Sequence, residues 1–82
     1  GTMSVISTRR AAVVATVPVG ASANGVAVTP DGRTIVVSDT FRDEAVVIDG
    51  RTLEVLYRLD AGMAPGAVAV GPGDLVFVAA YG

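Results

Sequence analysis

Residues Val17–Thr40, VPVGASANGVAVTPDGRTIVVSDT, decide the fold. Gly20–Gly25 is a connection of small and polar residues that tolerate positive φ. Val26–Val28 is a short strand of small side chains. Pro30-Asp31-Gly32 is a tight turn, because proline presets φ at one corner and glycine accepts the left-handed position. Thr34–Ser38 is the next strand, folded back as a hairpin. About 42 residues later the pattern returns as Leu59–Tyr81, LDAGMAPGAVAVGPGDLVFVAAY, with one residue fewer in the turn Gly71–Asp74.

The flanking sequence fills in the rest. Ser4–Ser7 and Ala12–Val19 read as strands joined by a turn at Thr8–Arg10. Pro18 cannot donate to a ladder, which places its strand at an edge. Asp39–Glu44 is the most polar run and reads as a loop. Ala45–Asp49 and Leu53–Leu59 are strands around a turn at Gly50–Thr52, and the second alternates as a half-exposed outer strand does. Ala67–Val70 and Leu75–Ala80 repeat the first hairpin. No capped segment of helical period exists, so the chain is all-β. Short strands recurring at a period near 40 residues are the mark of four-stranded antiparallel propeller blades. The inner strands are almost continuously apolar, as expected of strands covered on both faces.

Composition narrows the function. The chain has 82 residues, 51% hydrophobic and 17% charged, with a net charge of −2. Its basic residues are all arginine, and this balance gives no electrostatic case for nucleic acid or an anionic membrane as partner. There is no cysteine, which excludes disulfides and thiolate metal sites. No apolar run reaches the roughly 18 residues needed to span a bilayer, and no secretory leader is read at the start. Gly1-Thr2 ahead of Met3 reads as a start remnant, leaving residues 4–82 as the two repeats. With neither His nor Cys, no ordinary nucleophile–base pair exists, and Ser7, Ser22 and Ser38 lack a partner base. The chain is therefore expected not to be an enzyme.

The runs Val13–Gly20, Asn24–Arg33 and Ile35–Asp39 resemble the YVTN-type β-propeller repeat family, whose members include lactonase-like and surface-layer propellers. The family's Tyr-Val-Thr-Asn signature falls on Val36-Val37-Ser38-Asp39, and more loosely on Phe77-Val78-Ala79-Ala80. The resemblance implies strands lettered A to D from a central channel outward. The chain would then run C-D, A-B-C-D, A-B, with a complete blade at about 25–59 and half blades at 4–19 and 67–80. Relatives of this kind are often extracytoplasmic.

Two repeats are too few to close a ring. The terminal halves are complementary, so one copy can complete a blade with the next through a heterologous contact. Three copies would give six blades and four copies eight. The expected function is a non-catalytic scaffold for binding, assembled by the chain with itself. The alternative is a part of a larger seven-bladed enzyme or surface protein whose active residues lie elsewhere. The family's ligand face would hold Asn24, Asp39, Arg42, Asp43 and Tyr81, with Phe41, Glu44 and Met63 nearby. Asp39, Asp43 and Glu44 offer oxygens of the kind Ca²⁺ takes, but their spacing fits no calcium-binding loop, and a solvated loop is the reading adopted. No metal or cofactor is expected. Asp31 and Asp49 are read as turn caps, and Arg9-Arg10 and Arg51 as a charged outer rim.

Overall fold

The computed structural model covers Gly1–Gly82 and contains eight strands and no helix. They are β1 (Thr2–Ser7), β2 (Ala12–Pro18), β3 (Ala23–Val28), β4 (Thr34–Asp39), β5 (Glu44–Asp49), β6 (Val55–Asp60), β7 (Pro65–Val70) and β8 (Val76–Ala80). All pairings are antiparallel, in three blade-like sheets: β1-β2, then β3-β4-β5-β6, then β7-β8. The all-β class and the hairpin, four-strand, hairpin order agree with the sequence reading.

Several boundaries differ, for backbone reasons. β1 begins at Thr2, because Thr2 pairs with Pro18 and Met3 with Val17. The Val19 N–H donates to the Gly1 carbonyl at 3.0 Å, so Thr2 and Met3 belong to the strand and Gly1 adds one more bond at its start. β6 starts at Val55, not Leu53, because Leu53 sits at φ +66° inside the preceding corner. β3 and β7 start at Ala23 and Pro65, each earlier than expected, and each passes through a bulge before its main run.

The repeat is written into the geometry as well as the sequence. Val14 in β2 and Leu56 in β6 are each an extra residue that the partner strand leaves unpaired, and they are 42 positions apart. The bulges at Ala23–Val26 and Pro65–Val68 stand in the same relation. So do the positive φ angles at Ala11 and Leu53. The corners agree too. The Asp49 Oδ1 accepts N–H bonds from Arg51 at 2.8 Å and Thr52 at 3.0 Å. In the preceding repeat Ser7 Oγ accepts from Arg10 at 3.1 Å. Asp31 performs the same task in the tight turn, taking the Arg33 N–H at 2.9 Å and the Thr29 hydroxyl at 2.7 Å.

The four-stranded sheet carries the core. One face packs Ile35, Val37, Val46 and Ile48 against Val17 and Val19, with Met3 alongside. The other packs Val36, Ala45 and Val47 against Val68, Val76 and Val78. β4 and β5 are accordingly buried on both faces, as their apolar runs required. β3 departs from that expectation, since its residues alternate and Val26 and Val28 are exposed. The reason is a stagger. Val26 and Val28 pair with Val37 and Ile35 and so share the face bearing the β1–β2 hairpin, which covers β4 and β5 but reaches β3 only at its first residue, Ala23. On the opposite face β7–β8 covers the inner strands and leaves β6 bare, so β6 is exposed throughout rather than half-exposed.

Candidate functional site

The candidate residues sit at one end of the sheets: Asn24 near the start of β3, Asp39 at the end of β4, Arg42 and Asp43 in the loop after it, and Tyr81 just beyond β8. Asp39 closes β4 and is fully buried. Its Oδ2 accepts the Ala21 N–H at 2.9 Å. Its Oδ1 accepts from Ser22 at 3.0 Å and from Phe41 and Arg42 at 3.2 Å each. Gly20, at φ +154°, lies so close that a Cβ there would run into Asp39 Oδ2. Both oxygens are committed, so Asp39 binds two loops together and does not present a ligand group to solvent. This corrects its reading as a ligand-face residue.

The same donors set its titration. Burial pushes the Asp39 carboxyl up, the four N–H groups together pull it down further, and the balance lies below the ordinary 3.8. Asp31 is also held low, first by the Arg33 N–H and then by the Thr29 hydroxyl. Asp49 is held low by the N–H groups of Thr52 and Arg51. A depressed carboxyl binds fewer protons folded than unfolded, so stability rises with pH across the window. The contribution is complete above the unfolded value and is lost as pH falls through the folded values. Thermal melts should therefore be level from about pH 7 to about pH 5 and fall steeply below about pH 4. A midpoint that holds to about pH 2 would contradict this assignment.

A second group of side chains bridges the middle sheet to β7. Ser38, fully buried, accepts the Gly25 N–H at 2.8 Å and donates to the Gly66 carbonyl at 2.6 Å. Thr40 donates to the Pro65 carbonyl at 2.7 Å and accepts from Asn24 Nδ2 at 3.1 Å. Gly25 is required for this approach, because a Cβ would meet the Gly66 carbonyl oxygen. Asn24 thus contributes to the joint between sheets. Ser38 and Thr40 carried no signal in the sequence that marked them as its central members.

Arg42 and Asp43 border a shallow depression of about 420 Å³ with Glu44, Asp60, Gly62 and Met63. Asp43, at φ +59°, accepts the Ala64 N–H at 2.8 Å through Oδ1. Glu44 Oε1 lies 3.6 Å from Arg58 Nη1, and that nitrogen donates to the Val19 carbonyl at 2.9 Å. Arg58, absent from the sequence reading, thereby joins β6 to the end of β2. Both partners of the ion pair are about one-third exposed, so it contributes under about 1 kcal/mol. The three carboxylates weighed as oxygen donors do not converge, since Asp39 is sealed, Asp43 holds Ala64 and Glu44 faces Arg58. Tyr81 is 91% exposed, and its N–H donates to the Met63 carbonyl at 2.8 Å. Arg42 and Asp43 thus share the depression, Asp39 is joined to Arg42 through the N–H bond at 3.2 Å but is sealed from solvent, and Asn24 and Tyr81 do not line it.

A second, mainly apolar groove of about 430 Å³ opens on the face that β7–β8 only half covers. Val47, Tyr57 and Leu59 line one wall, and Leu75, Val76 and Val78 the other. No helix is long and apolar enough to cross a membrane. A scan against protein-family models finds no match, and no curated protein matches the chain.

Proposed function

We propose that the chain is a two-repeat β-propeller subunit of YVTN type that closes into a ring with further copies and serves as a non-catalytic binding scaffold. One observation carries the reading. The four-stranded sheet is flanked by two half-sheets of opposite kind, an outer pair on one face and an inner pair on the other. Each half-sheet supplies what the other lacks. The contact joins unlike surfaces, so it either closes as a ring or continues as a filament. Three copies make six blades and four make eight. The absence of His and Cys, and the structural commitments of Asp39 and Ser38, support a scaffold over a catalyst.

The exposed area points the same way. The chain exposes 5236 Å². A self-sufficient monomer of 8.2 kDa exposes about 4,500 Å². Light scattering after size exclusion tests the proposal, with an expected discrete mass of three or four times the 8.2 kDa chain. A single species at the chain mass overturns it. A segment of a longer propeller would also end in half-sheets, and such a segment would show no fixed stoichiometry.

A further inference from the structure

Resting on the ring reading, we propose that the groove between β5–β6 and β8 is filled by the β1–β2 hairpin of a second copy. In this contact β1 of that copy runs antiparallel to β8, pairing Val76 with Ile6, Phe77 with Val5, Val78 with Ser4, Ala79 with Met3 and Ala80 with Thr2.

The register comes from the molecule's own repeat. β4 pairs β5 as Ile35–Ile48, Val36–Val47, Val37–Val46, Ser38–Ala45 and Asp39–Glu44. β8 is the repeat of β4, since Ala80 stands opposite Pro65 as Asp39 stands opposite Ala23. β1 is the repeat of β5, since both precede a bulged strand in the same register. β8 has a partner on one edge only, and β1 likewise.

Packing favours the same occupant. Ile6 and Ile48 hold equivalent positions, yet Ile48 is 0% exposed and Ile6 is 62% exposed. A large β-branched side chain facing water at a position buried in the sister repeat marks a surface that awaits cover. Half of the required contact is already present, because Ala45, Ala61, Val76 and Val78 cluster on the groove face. They correspond to Met3, Val19, Ile35 and Val37 on the closed face, where Val46 and Ile48 complete the cluster. Ser4 and Ile6 of the second copy would take the places of Val46 and Ile48.

Charge agrees as well. The Gly50 N–H donates to the Arg33 carbonyl at 2.7 Å, which fixes the corner after β5 against the tight turn. The equivalent joint sets Thr8 of the second copy against Asp74, so the Arg9-Arg10 corner lands beside an exposed carboxylate that borders the groove.

Disulfide trapping tests the register, and the cysteine-free chain makes the readout clean. Directly opposed strand residues lie within disulfide reach. Ser4→Cys combined with Val78→Cys should give, on mild oxidation, a ladder of covalent multimers that reductant collapses to the chain mass. Ser4→Cys combined with Asp74→Cys, four residues out of register, should give none. Thr2→Cys with Ala80→Cys supplies a second matched pair should Val78→Cys disturb folding. If the unmodified chain forms a discrete ring but neither matched pair cross-links, or the mismatched pair does so equally, the register is wrong while the ring stands. If the unmodified chain is a monomer, ring and register fall together.

Discussion

Asp39→Ala is expected to destabilise the folded chain by about 3 kcal/mol, read by urea denaturation at fixed chain concentration. The carboxylate collects N–H groups from Ala21, Ser22, Phe41 and Arg42, tying the two loops together through one side chain. A hydrogen bond to a charged acceptor contributes about 1.5–3 kcal/mol. Four such bonds do not sum to their gross value, because the removed carboxylate no longer has to be desolvated and water enters the vacated site. Asp39→Asn keeps the shape and one acceptor oxygen but turns an amide N–H₂ toward other donors. It should cost about 2 kcal/mol and flatten the acid limb of the melting curve. An alanine variant as resistant to urea as the parent would mean that the two loops hold together without the bracket.

Ile6→Glu is expected to remove assembly altogether, leaving a species at the 8.2 kDa chain mass. Ile6 faces solvent in the single chain, so a glutamate there leaves the β1–β2 hairpin and its packing through Met3, Val17 and Val19 undisturbed. In the proposed contact the same position lies among Leu59, Val76 and Val78, where an unpaired carboxylate costs several kcal/mol at each junction. Ile6→Val, shorter by one methylene, should retain the assembled mass. Circular dichroism separates loss of assembly from loss of fold. A glutamate variant that keeps the multimeric mass would rule out the groove as the seat of Ile6.

Strand number, pairing and sheet order were legible because the cues are local and repeated. Pro30-Asp31-Gly32 and the apolar runs around it can do little other than form a hairpin, and their recurrence sets the order. The bulges were not legible. Val14 and Leu56 sit in apolar runs that read the same with or without an extra residue. Leu53 at positive φ breaks the preference of a bulky side chain, and what holds it there is tertiary: its N–H bonds the Asp49 carbonyl at 2.8 Å and its side chain packs against the core. Asp39 was misread for a different reason. A carboxylate in a polar run looks the same whether it faces water or four amides, and its donors at Ala21 and Ser22 lie far away in sequence. The second repeat holds the clue, since Ala79 and Ala80 replace Ser38 and Asp39 there. The stagger of the half-sheets is a property of packing that no residue pattern encodes.

The bulges carry a further meaning for how the molecule behaves in a crowded solution. Six strands have a free edge: β1, β2, β3, β6, β7 and β8. Four of them, β2, β3, β6 and β7, hold an unpaired extra residue, and β2 adds Pro18. Such edges twist away from a regular ladder and resist templating by a stray strand. β1 and β8 alone are unbulged. Of the free edges, only these two offer a regular ladder to a further strand, and the other four are guarded against indiscriminate pairing.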